Sequence, residues 1–334
     1  MTRVSNVAQD TSLQRLMRDV NVQLSEVRKQ VITGKKAQDF SGLGTTNGLA
    51  SIDLRADMTR IDSLLANIDS VRPRTDTMDR VLNDAVNEAR SVFSNNLQYP
   101  RSGRPPLDVI RQDARQAMEA IQAGLNTSQG GRFLFAARDI ANPPYDNAAQ
   151  LDANAAAQVA DYMAGTDTGA QVIADMQAFN GTDLGFSATL TALPANEGVS
   201  VRADENLELD YTVRADTAGV ENMLRGLSIL ANLDYDPNQD AEFWNMFDGA
   251  QSLIETGARE VDSEISKLGL VREQLTQTRT AHEETRVSLE EFVSDAEDVD
   301  TAEAISEMQR IQAQLEASFQ TIATLRDLSL VNFI

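Results

Sequence analysis

The chain has 334 residues, of which 42% are hydrophobic, a formal net charge of -22 and no cysteine. This acidic balance argues against nucleic-acid binding, which needs a basic face, and the lack of cysteine excludes disulfides and thiolate ligands. No segment reaches the roughly 20 apolar residues that cross a bilayer. Because residues 1–19 lack an apolar core, we expect no cleaved secretory signal peptide.

The first predicted element is an amphipathic helix over residues 8–32. We expect Gly34 to cap its C-terminal end, with Lys35 and Lys36 favoured by the negative end of the helix dipole. Its apolar side chains recur at steps of four and three residues, which is the spacing of a coiled-coil seam. The seam residues are Leu13, Met17, Val20, Leu24, Val27 and Val31.

A longer second helix is predicted to begin near Leu49. Proline lacks the amide donor that a helix interior uses, so we expect a kink or short break at Pro73. A third helix follows over residues 107–125. The heptads disappear over residues 145–216, where a late alternation of apolar residues predicts a β-hairpin in a small mixed domain.

Helical patterning returns at Val220 and continues to Phe292, with a pause near residues 234–240. The last predicted helix covers residues 299–328, and Ser318 occupies the one polar position of its seam. The apolar residues of this second terminal seam are Met308, Ile311, Leu315, Ile322 and Leu325, with Phe319 beside them.

These elements predict a mainly α fold: a long antiparallel coiled-coil rod formed by the N- and C-terminal segments, with a small inserted mixed α/β or β-rich domain. The predicted domains are a terminal assembly domain (1–45 with 295–334), a central helical domain (46–144 with 217–294) and an inserted outer domain (145–216).

The two terminal seams are predicted to pair and to form an assembly interface. Residues 1–40 hold seven basic and four acidic side chains, a net charge of +3, whereas residues 283–334 hold three and twelve, a net charge of -9. Opposite charges favour pairing of the two ends. The predicted interface residues are Leu13, Met17, Val20, Leu24, Val27, Val31, Met308, Ile311, Leu315, Phe319, Ile322 and Leu325.

We predict no catalytic, cofactor-binding or metal-binding residues. His282 is expected to be a solvated helix residue rather than a general base, because no partner constellation surrounds it in the sequence. The acidic run from Glu290 to Asp300 is expected to be a hydrated helix face and turn. Asp234, Asp236 and Asn238 have calcium-loop spacing, but the glycine and bidentate glutamate that such a loop needs do not follow.

Three segments resemble the flagellin superfamily. Residues 32–39 (ITGKKAQD) resemble its N-terminal "SGK/R" turn, although the aspartate pair that usually follows is missing. Residues 131–136 (GRFLFA), followed by 143–146 (PPYD), resemble the "GRYLFAG…PPF" element of the branch that forms the hook-filament junction. Residues 315–330 resemble the "LQASY…T…SL" ending of that branch, and the "QAN" element of filament flagellins is absent.

The resemblance implies a non-enzymatic structural subunit that joins hook to filament, is exported by the flagellar type III route and lies in the extracellular flagellum. The implied partners are further copies of the chain, flagellin, the other hook-filament junction protein and an export chaperone, with no nucleic acid, membrane or cofactor. The alternatives left open are a flagellin that forms the filament itself and a secreted helical adhesin or type III tip or translocator component.

Overall fold

The computed structural model describes residues 2–96, 105–194 and 196–331, and these residues are mostly helical. The predicted mainly α fold with long helices and a few short strands is confirmed. The helices are α1 (Thr2–Thr33), α2 (Gly44–Asn96), α3 (Leu107–Leu125), α4 (Ala148–Met163), α5 (Gly169–Ala178), α6 (Ala188–Thr191), α7 (Ala218–Asn232), α8 (Asp240–Glu297) and α9 (Thr301–Val331).

Two small antiparallel hairpins supply the strands of the described residues. The strands are β1 (Ser128–Gln129), β2 (Arg132–Phe133), β3 (Ser200–Asp204) and β4 (Leu207–Asp210), with β1 paired to β2 and β3 to β4. Val201 lies opposite Leu209, and both side chains are buried. The hairpin that the alternation predicted within residues 145–216 is therefore confirmed, because its apolar face packs on the core.

The chain divides into two compact units. The terminal unit consists of Met1–Ser63 and His282–Ile334, and the central unit consists of Leu64–Ala281. Helices α2 and α8 each contribute residues to both units.

The central unit has one large hydrophobic core. Helix α7 contacts both α3 and α4, and its glycines allow close approach to α8, since a Cβ at Gly226 would lie 2.6 Å from the carbonyl oxygen of Ala250. Helices α4 and α5, which the sequence did not predict, bury Leu151, Tyr162 and Met176 in this same core. The inserted segment is thus packed as part of the central unit.

Helix α2 runs without a break through Pro73, so of the kink or short break expected there the break is wrong, and the kink stays a prediction. Proline removes only one hydrogen bond of the helical ladder. Val71 and Met78, on either side of it, are buried in the core, and this packing holds the backbone helical. The hydroxyl of Thr77 also donates a hydrogen bond of 2.8 Å to the carbonyl oxygen of Pro73.

Two glycines of α8 give a test of packing in the central unit. Nothing lies within 4 Å of a Cβ added at Gly269, so Gly269→Ala should stabilise the unit by about 1 kcal/mol through helix propensity. A Cβ at Gly257 would lie 2.7 Å from the amide nitrogen of Met223, so Gly257→Ala should destabilise it by about 1–3 kcal/mol.

Urea unfolding followed by the fluorescence of Trp244, the chain's one tryptophan, reports on the central unit. The same change in stability for both substitutions would contradict this account of the helix contact.

Candidate assembly site

Helices α1 and α9 pack against each other in the terminal unit. They run antiparallel, because residues just after α1 are hydrogen-bonded to residues just before α9, while residues near the middle of each helix meet. Three side chains are buried there and three half-buried side chains pack against them. We call these six residues the terminal seam: Val20, Leu24, Ile311, Val27, Met308 and Leu315.

The other residues of the predicted interface are less enclosed. Met17, Val31 and Ile322 are half-buried, and Phe319 is 50% exposed beside the terminal seam. The side chains of Leu13 and Leu325 lie outside the described residues. The structure therefore brings six of the predicted residues together within one chain, while their role in contacts between chains stays a prediction.

A backbone bridge joins the turn after α1 to the turn before α9. The amide of Lys36 donates to the carbonyl oxygen of Glu297 at 2.7 Å, and the amide of Val299 donates to that of Gly34 at 2.9 Å. Gly34 has a φ of +70°, a left-handed conformation that glycine adopts without strain, as a C-cap requires. The two turns are thereby paired like short antiparallel strands.

A buried carboxylate lies at the centre of this bridge. Glu297 is only 7% exposed, and Arg55 binds it with two parallel hydrogen bonds of 2.7 and 2.8 Å. The hydroxyl of Ser51 donates to the same carboxylate, and Lys35 Nζ lies 3.2 Å from it. Lys35 also pairs with Asp298 at 2.5 Å. We call these five residues the Glu297 cluster.

The electrostatics of the Glu297 cluster favour its charged form. The hydrogen bonds from Arg55 are the main cause that lowers the pKa of Glu297, from 4.5 to about 2. Hydrogen bonds from Ser51 and Lys35 act in the same direction, whereas burial raises this pKa. The pKa of Asp298 is lowered by its hydrogen bonds with Lys35 and Ser294. Glu297 is thus ionised at neutral pH and can hold both cations at the turn.

The Glu297 cluster corrects the expectation of a uniformly hydrated acidic run. Glu290, Glu291 and Asp295 are exposed as expected, but Glu297 is buried. The reason is that its partners come from distant parts of the chain, and Arg55 is 242 residues away. No local pattern separates this glutamate from the other acidic side chains.

His282 is also buried, at 6% exposure, so the expectation of a solvated residue is wrong. It lies on the same face of α8 as Leu289, which is half-buried, and Val293, which is buried. The burial of His282 could not be predicted from the polar sequence around it, because the side chains on the other faces of the helix are exposed.

The residues with calcium-loop spacing make contacts within the protein. Asp234 accepts from Arg111 at 3.1 Å, and Asp236 accepts the amide of Asn238 at 2.9 Å, which caps a short 3-10 turn over Pro237–Gln239. Their spacing follows from helix capping and an ion pair at the start of α8.

Exposed apolar residues concentrate in the terminal unit. Twelve large hydrophobic side chains of the described residues are exposed, and ten of them belong to this unit although it is the smaller of the two. The ten are Leu16, Val22, Ile32, Phe40, Leu49, Ile52, Val287, Phe292, Ile305 and Phe319. These exposed apolar side chains are available for burial against another molecule.

Comparison with protein families gives one match, on most of α8 and all of α9. Residues 252–334 match the bacterial flagellin C-terminal helical region. A search of the curated proteins found no match. No helix of the described residues is long and apolar enough to cross a membrane.

A solved structure described as a flagellar hook-associated protein from Vibrio parahaemolyticus has a similar fold. The TM-score is 0.52 and the sequence identity is 12%, over 74% of this chain and 96% of that one. At this sequence identity, the similarity is evidence of a shared fold alone.

Replacing Glu297 tests the Glu297 cluster. Glu297→Gln should lower the free energy of local opening of α1 and α9 by about 2 kcal/mol, because the substitution removes the charge that Arg55 and Lys35 share. Amide hydrogen exchange of the two helices measures this opening. Glu307→Gln, which breaks an exposed pair with Arg310 on α9, is the matched control and should leave the opening free energy nearly unchanged, because solvent screens the pair.

The same variant tests the pH dependence of the terminal unit. Since folding lowers the pKa of Glu297, its contribution is complete above the ordinary pKa of 4.5 and is lost as the pH falls toward about 2. Exchange rates corrected for intrinsic pH effects should therefore rise in acid more steeply in the parent protein than in Glu297→Gln. Equal slopes would contradict a charged Glu297 as the stabilising group.

Proposed function

We propose that this chain is a non-enzymatic structural subunit of the bacterial flagellum, located outside the cell. The main support is that the segment similar to the flagellin C-terminal helical region includes α9, the helix that pairs with α1 in the terminal seam. The likeness of the fold to a structure described as a hook-associated protein agrees with this role.

The terminal helices bury few of their own apolar side chains, which favours assembly with further subunits. Helices α1 and α9 have 32 and 31 residues, yet among the side chains that the structure describes only three of the terminal seam are buried. Helices in water depend on packing for stability. The ten exposed apolar residues of the terminal unit are available for contacts with neighbouring subunits, which would supply the missing burial.

Within the flagellum we place the chain at the hook-filament junction, in the role of hook-associated protein 3. The support is the resemblance of residues 131–136 and 315–330 to junction proteins and the absence of a "QAN" element. Its partners would then be further copies of itself, the other junction protein, flagellin and an export chaperone, and it would leave the cell by type III export without a cleaved signal. A filament-forming flagellin is the second candidate, because the matching family is that of flagellins.

A charge placed in the terminal seam tests the role in assembly. Leu24→Asp or Leu315→Asp should abolish incorporation into flagella. An unpaired carboxylate at the buried Leu24 or the half-buried Leu315 loses hydration at a cost of up to several kcal/mol, and the cost recurs at every subunit. Incorporation is measured by immunoblotting of isolated flagella, and Trp244 fluorescence checks that the central unit is folded. Leu270→Asp, at a 70% exposed position of that unit, is the matched control and should incorporate normally. Normal incorporation of either seam variant would refute the role of the seam.

Deletion of the gene separates the two flagellar candidates. For a junction protein, cells should carry bare hooks and release flagellin monomers into the medium, because export continues while nothing seats the filament. Electron microscopy of the cells and flagellin immunoblots of the medium measure this outcome. Filaments of normal or reduced length would instead identify one flagellin among several.

A further inference from the structure

Helix α1 carries a second ordered stripe on the face opposite the terminal seam. Val22 is two residues from both Val20 and Leu24, a rotation of about 200° around the helix, and is 55% exposed. Arg15, Arg18 and Lys29 continue this line at steps of three, four and seven residues.

All three cations of this line are exposed, and no ion pair among the described residues engages them. We call these four residues, Arg15, Arg18, Val22 and Lys29, the basic stripe. Asp19 and Glu26 lie along one edge of it, beside Val22, so the five charged side chains on this face sum to a net charge of +1.

The last turns of α8 carry the counterpart of this arrangement. Val287 is 63% exposed and is two residues from Leu289, so it faces away from the side of α8 on which His282 and Val293 are buried. Glu284, Glu291 and Asp295 lie on the same outward face at helical spacing and are exposed. We call Glu284, Val287, Glu291 and Asp295 the acidic stripe.

The two stripes are opposite in net charge and alike in apolar content. Each presents one exposed valine with charged side chains on both sides of it. The three basic residues of α1 and their valine are spaced by three, four and seven residues, and the three acidic residues of α8 and their valine by three, four and four. Complementary charges around an apolar centre fix the partner and register of helix pairs. Within one chain α1 packs on α9, and both stripes remain exposed, so the match is open to another molecule.

We propose that the basic stripe of one copy docks on the acidic stripe of a neighbouring copy of this chain. The contact is heterologous: each subunit uses its α1 toward one neighbour and its α8 toward the other, so it propagates around a ring or along a helix. This inference rests on the proposed structural function and names one contact through which subunits join.

The absence of natural cysteine allows a direct test by disulfide trapping. A chain with Val22→Cys is mixed with a chain carrying Val287→Cys under mild oxidation, and the products are resolved by mass. Because a disulfide needs Cβ atoms about 4 Å apart, docking should give the mixed 22–287 dimer in about tenfold excess over either homodimer. No disulfide, or a predominance of homodimers, would overturn the proposal.

Charge reversal then tests the stripes themselves. Arg15→Glu with Arg18→Glu in the Val22→Cys chain should reduce the mixed dimer about tenfold, and Glu284→Lys with Glu291→Lys in the other chain should restore it. Arg28→Glu, exposed on α1 but off the stripe, is the control and should change nothing. Unchanged trapping after reversal, or no restoration in the matched pair, would show that the stripes do not recognise each other.

The outcomes also separate this contact from the proposed function. If Leu24→Asp blocks incorporation but no mixed dimer forms, the flagellar role stands and the stripe contact is wrong. If the mixed dimer forms while Leu24→Asp incorporates normally, the stripe contact stands and the role of the seam fails.

Discussion

The buried carboxylate of Glu297 is the constraint on which the terminal unit depends. By binding Arg55 and Lys35 and accepting from Ser51, it fixes the turn after α1 beside the turn before α9. With these turns paired, the two helices run back along each other, and Val20 and Leu24 meet Ile311. The Glu297 cluster fixes the register of the two helices, whereas the terminal seam buries their apolar side chains. The cluster is needed because a seam with so few buried side chains would specify the register weakly.

The two units differ in how completely they bury their apolar side chains. The central unit encloses its apolar residues in one core that includes the inserted segment, and it leaves only Val109 and Leu270 among its large hydrophobic side chains exposed in the described residues. The terminal unit buries few and exposes ten. In the terminal unit the two helices are held in register, but part of their apolar surface stays exposed to solvent. Further copies of the chain could cover this surface, which is the basis of the proposed structural role.

The sequence predicts the features that repeat and misses those that depend on distant partners. Regular steps of four and three predict the terminal helices, and alternation predicts the β3–β4 hairpin, because each pattern is local. Helix α4 was missed although Leu151, Ala155, Val159 and Tyr162 have helical spacing, since a segment rich in alanine and aspartate hides four buried positions. Glu297 could not be found among 51 acidic residues, because what distinguishes it is contact with Arg55 and Lys35, 242 and 262 residues away.

The central claim is that neighbouring subunits meet through the terminal unit. Amide hydrogen exchange of the free protein, compared with the same protein in isolated flagella, tests it most directly. The account predicts strong new protection in α1, in α9 and in the end of α8 after residue 284, with little change over residues 145–216. New protection confined to residues 145–216, with the terminal helices unchanged, would contradict it.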